Sequence, residues 1–230
     1  MLKAVIFDFD GVLVDSELLH FEAFSNILSP LGVKMSKQQY FDKYLGLSDE
    51  ELVRTVNKEQ KLTLSESQIE QVLRQKASVF KELAVSEASI IDGVPAFLQM
   101  LADNKIHKAI CSGALLPEIE LILKGACLRD FFEAIVSAEQ VKKGKPDPEG
   151  FLLALKLLNK KARQPVVSRI EPKDCIVIED SHWGLEAAKA AGMRSVAVTN
   201  SYSADQLKPA DKIIENLSEL TLPDLKSLSS

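Results

Sequence analysis

The stretch KAVIFDFDG at residues 3–11 decides the fold of this chain. Residues 4–7 are apolar without alternation, as in a strand covered on both faces, and the run stops at two acids, Asp8 and Asp10, followed by Gly11. Similar short apolar runs recur at residues 108–111, 134–136, 175–178 and 195–198. Between them lie segments with apolar residues at helical spacing, at 94–102, 118–123, 149–158 and 184–191. Strand and helix alternating in this order predict an α/β fold: a parallel sheet with helices on both faces.

From residue 15 to residue 87 the alternation stops. Leu18, Phe21 and Phe24, then Leu52, Val53 and Val56, then Ile69, Val72 and Leu73 mark successive amphipathic helices with no buried strand among them. This predicts two domains: a sheet domain made of residues 1–14 and 88–230, and a small helical domain, residues 15–87, inserted after the first strand. The turn residues Asp92 and Gly93 restart the sheet domain. Residues 159–172, polar and basic, are expected to form a surface loop, and the tail 221–230 is expected to fray.

Composition narrows the function. With 230 residues, 46% hydrophobic and 27% charged, the chain is long and apolar enough for a sizeable core, which excludes general disorder. A net charge of -5 argues against nucleic acid as a partner; Lys142 and Lys143 beside Lys145 form a basic cluster, but no stacking aromatics accompany it. No apolar run approaches the roughly 20 residues a membrane span needs, and the first residues lack the form of a signal peptide, so no membrane partner is expected. Cys111, Cys127 and Cys175 have no CxxC spacing. They predict a cytoplasmic location and three small core hydrophobes instead of a disulfide framework.

Ligands of an open parallel sheet bind beyond the carboxyl ends of its strands, so the polar residues ending the apolar runs are the candidates for chemistry. They are Asp8 and Asp10, Ser112, Lys145, and Glu179 with Asp180. Four carboxylates drawn together repel one another unless a cation joins them, and their hard oxygens suit Mg²⁺. A phosphate dianion there needs donors of its own, which Lys145, Ser112 and the backbone amides of residues 9–11 are placed to supply. Asp8 and Asp10, two apart, would share one face of a continuing strand, one to attack phosphorus and one to handle a proton.

These stretches together resemble a known family. FDFDGVLVDS at 7–16, Ser112-Gly113 after an apolar strand, GKPDPEGF at 144–151 and VIEDSHWGLEAAKAAGM at 177–193 are similar, in order, to the four motifs of the haloacid-dehalogenase superfamily. The early helical insertion resembles its helical-cap subgroup, which includes beta-phosphoglucomutases, phosphoglycolate phosphatases and sugar-phosphate phosphatases. The resemblance implies a Rossmann-like core under a mobile lid, with Asp8 as nucleophile and Asp10 as acid and then base. It further implies that Ser112, Gly113 and Lys145 hold phosphate, and that Asp8, the Asp10 carbonyl, Glu179 and Asp180 surround Mg²⁺. Superfamily members that displace halide lack the second aspartate, so Asp10 favours phosphate chemistry.

In the insertion, His20, Gly46 and Lys76 stand where beta-phosphoglucomutases carry substrate and hinge residues, whereas Asp49 stands where they carry an arginine. An aspartate repels the second phosphate that an arginine would grip, which favours a phosphatase over a mutase. A phosphosugar mutase and a non-enzymatic phosphoacceptor module remain the alternatives. The expected partner is a small phosphorylated metabolite, and the expected state a monomer or weak homodimer.

Overall fold

Strand β1 (Ala4–Phe7) has no solvent-exposed residue: Ala4, Val5, Ile6 and Phe7 are each 0% accessible, as its unbroken apolar run requires. The computed structural model describes residues 1–45, 47–87, 89–161 and 169–229. After β1 the elements follow as β2 (Val14–Asp15), α1 (Glu17–Leu28), α2 (Lys37–Lys43), α3 (Asp49–Glu59), α4 (Glu66–Glu87) and β3 (Ser89–Ile90). Then come α5 (Val94–Asp103), β4 (His107–Cys111), α6 (Leu116–Gly125), β5 (Ala134–Val136) and α7 (Glu149–Lys161). The chain closes with β6 (Cys175–Glu179), α8 (His182–Ala190), β7 (Arg194–Val198), β8 (Lys212–Ile214) and α9 (Leu222–Leu228). Two compact units result, Met1–Asp15 with Ser89–Ser230, and Ser16–Ala88.

In the first unit the strands run in the order β5-β4-β1-β6-β7-β8, every pairing parallel. β1 is central, and its side chains alternate between two cores. Ala4 and Ile6 join Phe151, Leu158, Ala187 and Ala188 on one face. Phe7 meets Phe97 and Phe132 edge-on at 6.0 and 5.9 Å. Each of the larger side chains among these, Ile6, Phe7, Phe151 and Leu158, contributes about 1.5–3 kcal/mol when removed from water, so the sheet fixes the ends of β1, β4 and β6 firmly. β2 and β3 pair antiparallel where the chain leaves and re-enters this unit. None of the described helices is long and apolar enough to cross a membrane.

The second unit is helical and has its own core, in which Phe24, Leu28, Tyr40, Leu52, Val56 and Ile69 are buried. Its helices start where the sequence supplies caps: Ser36 and Gln39 for α2, and Ser48 and Glu51 for α3, each bond the other's exposed amide.

Several local expectations fail. Among the described residues the tail is held, not frayed: Thr221 caps α9, and Leu225 is fully buried. Asn159 belongs to α7, not to a loop, and its amide bonds the backbone of Ile170, itself buried; residues 162–168 lie outside those described. Cys127 is exposed at φ 57°, because α6 ends at Gly125 and the next residue to reach the core is Leu128. Cys111 and Cys175 are buried as expected, and burial pushes both thiols up to about 12. Since the thiolate is the reactive form, a rise from 9 to about 12 cuts its fraction about a thousandfold at a given pH. Titration of the native protein with a thiol reagent at pH 8 is therefore expected to modify Cys127 at least about a hundredfold faster than the other two; peptide mapping that finds all three labelled together would refute this.

Candidate active site

β1 ends at Phe7, and the amide of Asp8 still donates to the Ile178 carbonyl of β6 at 2.9 Å. The chain then turns instead of continuing as a strand: Leu13 N–H bonds Phe9 O at 2.9 Å, Gly11 N–H bonds Val14 O at 2.9 Å, and Asp10 bridges to Val14. Asp8 thus stands at the strand's end and Asp10, one residue past the bend at Phe9, opens the turn, with Asp8 buried and Asp10 half-buried. The amide of Phe9 donates to Asp8 Oδ1 at 2.8 Å, which fixes that carboxylate at the end of β1.

β6 delivers the next acids. Glu179, its last residue, is fully buried, and Asp180 is 5% exposed. Glu179 Oε2 accepts from the amides of Asp180 and Ser181, each at 3.0 Å, and from the Ser181 hydroxyl at 2.8 Å. Its other oxygen accepts from Lys145, whose ammonium also lies 2.9 Å from Asp8 Oδ2. One oxygen from each of Asp8, Glu179 and Asp180 falls within 4.8 Å of the others. Ser112, buried at the end of the neighbouring β4, accepts from the amide of Ala114 at 2.9 Å. Gly113 is exposed beside it, with no atom within 4 Å of a hypothetical Cβ.

Two glycines make room for these acids. A Cβ on Gly11, already at φ +71°, would stand 1.9 Å from Asp180 Oδ2, and one on Gly184 would stand 1.8 Å from Glu179 Oε1. Neither position admits a larger residue while the carboxylates stay where they are. Two polar residues the sequence reading did not collect complete the group. Ser201 donates its hydroxyl to Asp180, and the Asn200 amide donates to the Gly11 carbonyl at 2.7 Å. They follow β7 at the same sheet edge, so the strand-end rule, applied once more after residue 198, would have found them.

Electrostatics define what the group can hold. Burial, then the charges of Glu179 and Asp180, push Asp8 well above the ordinary carboxylate range, although Lys145 pulls it down. Burial alone would lower Lys145, but Asp8 and Glu179 outweigh it and hold the ammonium above its usual value. Three carboxylates against one ammonium leave the buried group short of positive charge, and every donor offered is a hard oxygen. That composition fits a divalent cation of the oxygen-seeking kind.

The remaining candidates lie in the helical unit. Lys76 is fully buried and contacts both His20 and Asp49. Gly46 lies outside the described residues. Lys142 and Lys143 are exposed.

Residues 5–198 match the family model of the haloacid dehalogenase-like hydrolases. The chain belongs to that family. It is 30% identical over 227 residues to Beta-phosphoglucomutase of Bacillus subtilis, covering 96% of this chain and 92% of that one. To Hexitol phosphatase B of Escherichia coli it is 30% identical over 228 residues, covering 97% and 96%. The chain spans only 57% of the length of another relative, the chloroplastic 5-amino-6-(5-phospho-D-ribitylamino)uracil phosphatase of Arabidopsis thaliana, at 29% identity over 227 residues, 97% of this chain. Among solved structures, CbbY from Rhodobacter sphaeroides in complex with phosphate superposes with a TM-score of 0.86 at 26% identity, covering 98% of this chain and 100% of that one. Membership in a hydrolase family whose members share this sheet sets aside the phosphoacceptor module. The parallel sheet with its helices is the fold the sequence predicted.

Proposed function

We propose that this hydrolase cleaves the phosphate monoester of a small phosphorylated metabolite, a sugar phosphate or a phosphoglycolate-like acid, with Mg²⁺ as its metal. The observation that carries this reading is the meeting of Asp8, Lys145, Glu179 and Asp180 at the carboxyl edge of one parallel sheet. Asp8, the Asp10 carbonyl, Glu179 and Asp180 would hold the ion, which when bound neutralises phosphate and carboxylate charge.

The chain's own groups account for the chemistry. An oxygen of Asp8 attacks phosphorus, forming an aspartyl-phosphate as the bond to the substrate oxygen breaks, and Asp10 gives its proton to that departing oxygen. Asp10, now ionised, takes a proton from water as that water attacks the same phosphorus, releasing inorganic phosphate and restoring Asp8. Lys145 and Ser112 donate to the transferring phosphoryl oxygens, and Gly113 leaves its backbone accessible to them. His20, Gly46 and Lys76 of the helical unit remain the candidates for reading the rest of the substrate, as the resemblance implies.

A second reading, a phosphosugar mutase, is favoured by the similarity to the Bacillus subtilis enzyme. Asp49 supports the phosphatase instead, since a carboxylate disfavours the second phosphate of a bisphosphate intermediate. Beta-glucose 1-phosphate supplied with a bisphosphate primer separates the two: inorganic phosphate is expected, and glucose 6-phosphate would establish the mutase. Across a panel of sugar phosphates and phosphoglycolate, chelation of divalent ions is expected to lower phosphate release about a hundredfold or more; turnover indifferent to chelator would defeat the metal assignment.

A further inference from the structure

The loop between β7 and β8 is anchored within the sheet unit at both of its ends. Thr199 N–H bonds Ile214 O at 3.0 Å, the Gln206 amide bonds Ser203 O at 2.9 Å, and the Ser203 amide bonds Gln206 Oε1 at 3.1 Å. Leu207 is fully buried against Leu185 and Ala197, with Tyr202 packed on the same cluster and edge-on to His182 at 5.4 Å. His182 and Leu185 belong to α8, which starts two residues after Asp180. The loop and the segment carrying Asp180 are therefore packed as one piece.

From this loop two side chains reach the acids. Asn200 donates to the Gly11 carbonyl at 2.7 Å, across 189 positions of sequence, and the Ser201 hydroxyl donates to Asp180 Oδ2. A Cβ on Gly11 would meet both Asp180 Oδ2 and Ser201 Oγ, so the Gly11 backbone lies against the bonded pair. Oδ2 is thus held between a donor and a backbone segment that the same loop grips through Asn200. Together they oppose rotation of the carboxylate about its Cβ–Cγ bond.

That rotation decides how the carboxylate meets a cation. Mg²⁺ demands near-ideal octahedral geometry, which the narrow bite of a chelating carboxylate spoils, whereas Ca²⁺ accepts about six to eight oxygens in flexible geometry, a carboxylate giving one or both. Asp8, Glu179 and Asp180 each bring one oxygen within 4.8 Å of the others. To bring its second oxygen, Asp180 would have to turn away from Ser201.

We propose that Ser201 is a positioning residue that holds Asp180 as a one-oxygen ligand and so biases the site toward a small octahedral cation over a larger one. Asp180 touches the ion; Ser201 acts through it. This rests on the Mg²⁺ assignment made above and adds to it the means by which the chain tells divalent ions apart.

The test is competition of Mg²⁺ and of Ca²⁺ for Mn²⁺ bound to the protein, read from the electron paramagnetic resonance of the free Mn²⁺ ion, with no turnover involved. Ser201→Ala is expected to lower the Mg²⁺ affinity about tenfold and the Ca²⁺ affinity by less, because a released carboxylate can offer Ca²⁺ both oxygens, so the ratio of the two falls about threefold or more. Ser201→Thr keeps the hydroxyl and is expected to keep the wild-type ratio. General loosening of the loop moves both affinities alike, so an unchanged ratio in Ser201→Ala overturns the proposal. A threonine variant with the ratio of the alanine variant overturns it too, since the hydroxyl is then not what matters. A wild type that holds Ca²⁺ more tightly than Mg²⁺ overturns it without any variant, so a poorly folded Ser201→Ala does not shield it. Wild-type protein that binds none of the three ions would instead remove the Mg²⁺ assignment itself, and this inference with it.

Discussion

Asp8→Asn is expected to leave a folded protein whose phosphate release falls about 10³-fold or more. The amide oxygen keeps the bond from the Phe9 N–H that now reaches Asp8 Oδ1 at 2.8 Å, and the side chain keeps its volume. What disappears is the negative oxygen that would bond to phosphorus. Stability moves the other way: burial and the charges of Glu179 and Asp180 already make ionised Asp8 unfavourable, so a neutral amide relieves repulsion in metal-free buffer. Lys145 retains Glu179 as its counter-charge. Thermal denaturation without divalent ions should therefore show Asp8→Asn melting no lower than the wild type, alongside the lost turnover. Retention of more than a tenth of wild-type activity would remove Asp8 as the nucleophile.

The parts of this molecule that could be read from sequence are those in which one short segment carries its own explanation. Residues 4–7 are apolar on both faces because both faces are covered, and the acids after them sit where the strand stops. The same logic exposed Ser112, Glu179 and Asp180, whereas Lys145 lies in the loop between β5 and α7 and was legible through the GKPDPEGF stretch. β8 gave no comparable signal: it has three residues, and its edge position leaves Lys212 and Ile213 only half-buried, so no continuous apolar run marks it. The buried Lys76 was invisible for a different reason. Its partners are 56 and 27 positions away on other helices, so its local pattern is that of any amphipathic surface residue. α9 was legible but overlooked, since Thr221 and Asp224 form a reciprocal cap that the sequence displays. Ser201 was likewise reachable by spacing, but nothing in its own residue type distinguishes it from a solvated serine.

Lys145→Met carries the second large effect, and its sign depends on pH. In the wild type this ammonium is the positive charge shared by Asp8 and Glu179, and all three side chains are largely removed from water, at 17%, 13% and 0% exposure. Methionine approximates the lysine stem in length but removes the ammonium that stands 5.5 Å from the Phe151 ring centroid, and leaves two buried carboxylates uncompensated. Losing one partner of such a group costs about 3–5 kcal/mol in metal-free buffer near neutral pH. Asp8 is already raised in the folded state, and without Lys145 it rises further. A carboxyl raised on folding stabilises the fold while protonated, below its unfolded value near 4, and that contribution is lost as pH climbs through the raised folded value. The deficit of Lys145→Met is therefore expected to be largest at pH 8, to shrink toward pH 5, and to shrink at pH 8 when Mg²⁺ is added. Phosphate release should fall about 10²- to 10³-fold even with Mg²⁺ saturating, because the donor to the transferring phosphoryl group is gone. Denaturant titrations at both pH values, with and without Mg²⁺, check this directly. A deficit of the same size under all four conditions would show that Lys145 is held by packing alone and that the carboxylates around it do not share its charge.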